Sequence, residues 1–218
     1  MASVVAAPPQ IETLADLIDR LGGVDPRRIR FRPPPGMACV QDVIDLAERR
    51  GKLCELVDGV LLEKVMGLTE SNLAVFLAGL LNAVVIPRNL GFVTGADGAT
   101  ELMPDLVRIP DVAFISWDRT PNRKRPTAPV PRLAPNLVVE VLSSSNTPGE
   151  MAAKRRDYFA AGVERVWEVD PDTRTVAVYT TPTKAITLGV ADTLDGETVV
   201  PGFSLPVATL FAELDRQG

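Results

Sequence analysis

NLVVEVLS, residues 136–143, is the stretch on which the fold turns. Leu137, Val138, Val139, Val141 and Leu142 make it apolar on both faces. It therefore reads as a central, buried strand. Glu140 sits in its middle, and a carboxylate there needs a partner, a proton or a metal. Upstream, LVRIPDVAFIS (106–116) reads as a second strand with Asp111 inside it. Pro110 removes a ladder donor, so the strand starts or bulges at the acid, and bulges often re-aim a side chain toward a site. Downstream, TPGEMAAKRRDYFAAG (147–162) reads as a helix, with Thr147 as N-cap, Pro148 in first position, Glu150 completing a capping box and Gly162 at the end. VERVWEVDPDTRTVAVYT (163–180) follows as a strand, a Pro-Asp turn and a strand.

Further out, LCELVDGVLLEK (53–64) is two apolar runs split by Asp58-Gly59, a hairpin signal because both turn positions tolerate positive φ. LTESNLAVFLAGLLNAVVI (68–86) reads as a long apolar helix with Thr69 as N-cap and Pro87 as its stop. GFVTGADGATELM (91–103) carries another Asp-Gly hairpin turn, and a last helix covers about 206–216. Residues 1–9 read as a disordered lead. IETLADLIDRLGG (11–23) and QDVIDLAERR (41–50) read as short helices joined by the basic, Pro-rich PRRIRFRPPPG. Residues 1–50 are too few to hold a core of their own. They are expected to form an extension packed on a main domain of 51–218. The whole is an α/β domain with a mixed sheet flanked by helices.

Composition narrows the chemistry. Histidine is absent, which excludes a Ser-His-Asp or Cys-His mechanism, a His-ligated zinc and an imidazole base. Two cysteines, Cys39 and Cys54, cannot form a disulfide framework for 218 residues, so a reducing cytoplasm is the expectation. MASVVAAPPQ has no basic region before its short apolar run, so no signal peptide is expected. No apolar stretch of about 18 residues lacks a charge or a proline, so no membrane span is expected either. The net charge of −5 is opposite to a general nucleic-acid footprint, so any nucleic-acid contact needs a local basic strip.

Two carboxylates that meet in a sheet repel unless a cation sits between them. Oxygen-only ligation without histidine suits a hard ion, Mg²⁺ or Mn²⁺, and such an ion can activate water and polarise a phosphoryl oxygen. Met151, Lys154, Tyr158 and Ala161 share one helix face. A lysine on an inward face calls for a carboxylate or a phosphate, or else packs its stem and carries its amine out to water. Arg155, Arg156 and Asp157 lie off that face and are expected in solvent. Glu55, in CELVDG, is either an accessory group for metal or water or a strand-surface residue, and the sequence leaves both open. The loop 119–135 carries Arg119, Arg123, Lys124, Arg125 and Arg132. A flexible basic arm beside a metal site would suit a phosphate backbone, although a solvated loop is an equal reading.

The strings ELVDG, PDVAFIS, LVVEVLS and EMAAKRRDYFAAGVERVWEVDP, in that order, resemble the Uma-two family, described as restriction endonucleases of the PD-(D/E)xK nuclease superfamily. The resemblance covers about 40–216, and IDRLGGVDPRRIRFRPPPG is similar to a leader found in one branch of that family. It implies a restriction-endonuclease-like mixed sheet with Asp111 and Glu140 as the acidic pair. The superfamily pattern expects a lysine two positions after the glutamate, where this chain has Leu142. The family moves that lysine to the following helix, where Lys154 stands. The histidine common near the start of the long helix is replaced by TESN, and Asn136 stands where aspartate is usual. The resemblance thus implies a Mg²⁺- or Mn²⁺-dependent endonuclease acting on DNA. In it Asp111, Glu140 and the main-chain carbonyl of Val141 hold the ion, with Lys154 and Glu55 assisting. A homodimer would suit a cutter of two strands. The alternative is a nuclease-fold protein with weak or no activity that serves as an interaction module, favoured by the acidic pI of about 4.9 and by the displaced lysine.

Overall fold

The structure, a computed structural model, describes residues 11–217. The lead at 1–9 lies outside the described residues. In the hairpin, β1 (Cys54–Val57) pairs antiparallel with β2 (Val60–Glu63). Asp58 and Gly59 both take positive φ between them, as a two-residue turn matched to strand twist requires. Glycine at 59 has a second reason: a Cβ would stand 2.6 Å from the Gly36 backbone, which lies against the turn.

The segment 106–116 is two strands. β5 (Leu106–Arg108) pairs with β1 and with β4 (Thr100–Met103), completing a four-stranded sheet of order β2-β1-β5-β4. β6 (Val112–Ser116) belongs to a different, six-stranded sheet. The chain crosses between sheets at Ile109, Pro110 and Asp111, where proline offers no N–H to continue a ladder. Likewise 91–103 is not a hairpin. β3 (Gly91–Thr94) joins β6, whereas β4 joins β5. The five residues between β3 and β4 span the two sheets, and the tight turn lies instead between β4 and β5, where Asp105 takes positive φ.

The six-stranded sheet runs β10-β9-β8-β7-β6-β3. Its centre is β7 (Leu137–Val141), buried throughout. β7 pairs antiparallel with β6 and parallel with β8 (Arg165–Asp170). A parallel neighbour requires a crossover, which α4 (Pro148–Ala160) supplies. β9 (Thr175–Tyr179) and β10 (Ala185–Leu188) extend the edge. A small pair, β11 (Thr193–Asp195) and β12 (Ser204–Pro206), leads into α5 (Val207–Asp215). The strands β10 to β12 had no counterpart in the sequence reading.

The long helix α3 spans Leu68–Val85, with Gly67 rather than Thr69 at its N-cap. Its length and composition would allow it to cross a membrane. Here Leu73, Ala74, Leu77, Leu81 and Val85 are buried in one cluster with Val112, Phe114, Leu137 and Val139 of the sheet. The amino-terminal part, with α1 (Leu14–Arg20) and α2 (Val40–Arg50), packs on the hairpin. Leu17, Leu21, Val24 and Ile29 share a core with Val60 and Leu62.

Candidate active site

The crossing between the two sheets sets the position of Asp111. Its amide donates to Val139 O at 3.1 Å. Val112 pairs with Val139, so Asp111 and Val112 both stand against Val139 and the ladder bulges at Asp111, a place where a side chain is re-aimed. Asp111 Oδ2 accepts from the Val141 amide at 2.7 Å. A residue's N–H and C=O point to the same side of a strand, so the Val141 carbonyl faces this edge as well.

Helix α4 lies over the face that carries Glu140. Glu150, Lys154 and Tyr158 recur every four residues and are all buried. Lys154 Nζ stands 3.0 Å from Glu140 Oε2 and 3.3 Å from Glu55 Oε1. The Tyr158 hydroxyl donates to the other Glu140 oxygen at 2.5 Å. Glu55 arrives from β1 of the other sheet and also takes Arg108 Nη1 at 2.6 Å and the Ile109 amide. Sheet, sheet and helix thus converge on one cluster, and it contains Asp111, Glu140, Lys154 and Glu55.

The two glutamates that share Lys154 titrate in opposite directions. Burial would raise Glu55, but Lys154, Arg108 and Lys64 outweigh it and hold the carboxyl below the usual range. Burial raises Glu140 too, and there the like charge of Asp111 adds to it, so Lys154 does not bring the group back down. Burial disfavours the Lys154 ammonium, yet Glu140 and Glu55 hold it above the ordinary lysine range. Tyr158 is pushed up by burial and then by Glu140, so it stays a neutral donor.

Sequence reasoning missed several members. Lys64, just past β2, puts its ammonium 2.7 Å from Asp111 Oδ1 and also donates to the Ile109 carbonyl. Its signal was alternation: Leu62 faces one way along the hairpin, and Lys64 falls on the same side. Arg108 is buried between Glu55 and Asp157. Glu168 of β8 pairs in register with Glu140 and is held by Arg155 at 2.6 Å. Arg155 and Asp157 are therefore ion-paired rather than solvated; only Arg156 of that trio is exposed. Glu150 does not close a capping box. The Thr147 hydroxyl accepts from the Glu150 amide, but the Glu150 carboxylate faces Arg28, which takes both its oxygens.

A narrow polar cleft opens over the cluster, lined also by Met66, Glu70, Ser143 and Asn146. Glu70, in the first turn of α3, stands in the TESN stretch. A larger groove of about 680 Å³ lies behind the cluster. It borders the site through Arg108 and Glu150 but holds neither Asp111 nor Glu140, so the smaller cleft is the candidate site.

The basic loop is not beside this cleft. It leaves β6 at Ser116 and enters β7 at Leu137, whereas Asp111 and Glu140 stand at the opposite ends of those strands. β6 has five residues, Val112–Ser116, which is about 17 Å of extended chain. Nor is the loop a free arm. Arg119 donates to the carbonyls of Ala134, Pro135 and Gly162 and to Glu164. Arg123 pairs with Asp118, and Arg125 lies over the Phe92 ring. Lys124 follows Arg123 on the exposed side.

Asp111 and Glu140 suit a hard divalent ion by donor type, both offering oxygen only. Burial, joined by the like charge of Asp111, raises Glu140, and such an ion would offset both. Among the described residues no three acidic, cysteine or histidine side chains form a ready-made cage. Two carboxylates, the Val141 carbonyl and water would make up the set, and Lys64 and Lys154 hold two of the carboxylate oxygens it would take.

Residues 40–208 match the family Uma2, described as "Putative restriction endonuclease". Among solved structures, the chain is similar to one described as "a putative nuclease belonging to DUF820 from Anabaena variabilis". The identity is 21% and the TM-score 0.66, over 74% of this chain and 91% of that one. That likeness shows that the two chains share a fold. No curated protein matches the chain.

Proposed function

Because the chain belongs to the Uma2 family, we propose that it is a metal-dependent endonuclease that hydrolyses DNA phosphodiester bonds at the Asp111–Glu140 cluster. The observation that carries this reading is the pair of buried acids, Asp111 and Glu140, with a buried lysine that bridges the two sheets. Asp111, Glu140 and the Val141 carbonyl would hold Mg²⁺ or Mn²⁺. When bound, such an ion supplies an activated water and polarises a phosphoryl oxygen. Lys154 would stabilise negative charge that develops on the scissile phosphate. Its ammonium is held above the ordinary lysine range, so it acts as a fixed cation and not as a base. Glu55 keeps that amine in place and is a positioning residue. Tyr158 holds the far Glu140 oxygen and leaves the near one toward Lys154. Lys64 places a second cation against Asp111. A homodimer would serve two-strand cutting, and the cytoplasm suits the free Cys39 and Cys54.

One observation favours a second reading, an interaction module without useful activity. Both oxygens of Asp111 and of Glu140 already carry protein donors. A cleavage panel of single-stranded, double-stranded and branched DNA with several divalent ions separates the two. Ion-dependent cleavage of any of these supports the nuclease. Complete inertness across the panel supports the module.

The basic loop can meet DNA only away from the scissile bond. Charge reversal of Arg123, Lys124 and Arg125 is expected to weaken DNA binding and flatten its salt dependence. The rate at saturating DNA should stay unchanged. Filter binding across a salt series, with cleavage at saturation, checks both. An unaltered salt slope would show the loop to be merely solvated. Arg119 is set apart from these three, because its guanidinium is engaged in holding the loop to the sheet.

A further inference from the structure

The family match begins at residue 40, yet Arg28 lines the polar cleft with Asp111, Glu140 and Lys154. Its Nε donates to the Glu63 carbonyl at 3.0 Å, and its Nη1 and Nη2 donate to the two Glu150 oxygens at 2.9 and 2.8 Å. The pair is sequestered, with the Arg28 side chain 9% exposed and that of Glu150 3%. Glu63 immediately precedes Lys64, and Glu150 stands one turn before Lys154. Those lysines face Asp111 at 2.7 Å and Glu140 at 3.0 Å. One rigid guanidinium therefore ties together the two elements that deliver the cluster's two ammonium groups. The backbone docks at the same place. The Thr147 hydroxyl donates to the Gly22 carbonyl at 2.6 Å. Gly22, at φ +82°, lies so close to the Gly149 backbone that a Cβ would collide with it.

We propose that Arg28 is a positioning residue of the active site, setting the spacing of Lys64 and Lys154 across the two acids, and that the extension before residue 51 is a working part of the nuclease domain. The inference rests on the nuclease reading above. Arg28 uses Nε and both Nη groups within the protein, so it is not a DNA contact. Lysine cannot replace it, because a point charge on a flexible stem does not hold two elements in one plane.

The test uses full-length Arg28→Lys and the double variant Arg28→Met with Glu150→Leu. Arg28→Lys is expected to lower kcat by about 10–100-fold, the scale on which removing a group that orients a ligand acts. KM for DNA and its salt dependence should not move. The double variant replaces the buried pair by apolar groups, so its melting temperature should stay near that of the wild type, while kcat stays as low as in Arg28→Lys. Recovery of kcat along with stability would make Arg28 merely structural, and a raised KM would make it a DNA contact; either overturns the proposal. Hydrogen exchange gives a readout free of activity. Faster exchange at 150–156 in both variants, with β7 unchanged, is expected. If the wild type does not cleave, the nuclease reading fails, and exchange alone then decides the strut: unchanged protection of α4 in both variants overturns it.

Discussion

Lys154→Met is expected to lower stability at neutral pH by about 3–5 kcal/mol, the scale of breaking a buried ion pair from one side. The ammonium faces two buried carboxylates, Glu140 at 3.0 Å and Glu55 at 3.3 Å. Methionine fills much of the same volume but leaves both acids without it, and Arg108 compensates only Glu55. The pH dependence follows from the directions of the shifts. In the wild type Glu55 is held low; its contribution is present above the ordinary carboxylate range and is lost as pH falls through the depressed value. Lys154 is held high; its contribution is complete below the ordinary lysine range and is lost as pH rises through the raised value. Both are in force between about pH 5 and pH 10. In the variant the two acids can relieve their repulsion only by taking up protons. The deficit relative to wild type should therefore shrink as pH falls from 7 toward 4. Thermal melts of both proteins across that range check it. Parallel curves would show that the Lys154 charge does not stabilise the acids.

Glu140→Gln should leave stability within about 1 kcal/mol of wild type, or raise it, because a desolvated charge is removed. The same substitution should reduce ion-dependent cleavage by about 10²–10³-fold or more, the scale of losing one preorganised electrostatic contact. Glu140 is raised by burial and by Asp111 despite Lys154, so its ionised form is a net burden on the fold. The raised value makes that burden appear as pH rises from the ordinary carboxylate range through the folded value. Glutamine keeps an acceptor for Tyr158, and Lys154 can turn wholly to Glu55. Melts in EDTA and in Mn²⁺ separate the roles. A large loss of melting temperature in EDTA, with no Mn²⁺-dependent stabilisation of the wild type, would mark Glu140 as structural.

Much of this was legible in the chain. The apolar run around Glu140 announced a central strand, and the helix spacing placed Lys154 on the inward face of α4. Pro110 marked a break at Asp111. That the break is a passage between two sheets was hidden, because a proline marks a ladder's end and not where the chain goes next. For the same reason 91–103 looked like a hairpin, although its strands part company. Arg108 and Arg28 were hidden for another reason. Each is a common surface residue whose burial depends on a distant acid, and an ion pair such as Arg28 with Glu150 leaves no local pattern. The basic loop misled by composition alone: Arg119 and Arg123 are drawn to Glu164, Asp118 and carbonyl groups near the far end of β6, and Arg125 lies over Phe92.

Calorimetric titration of Mn²⁺ into the wild type and into Asp111→Asn tests the central claim most directly. Asparagine preserves the acceptor for the Val141 amide and removes the charge that faces Lys64, so a melting curve in EDTA first establishes that the variant is folded. Saturable binding by the wild type that disappears in Asp111→Asn, in the same preparations in which Mn²⁺-dependent DNA cleavage disappears, is the predicted result. A wild type that binds no Mn²⁺, or an Asp111→Asn variant that binds it equally well, would contradict the account.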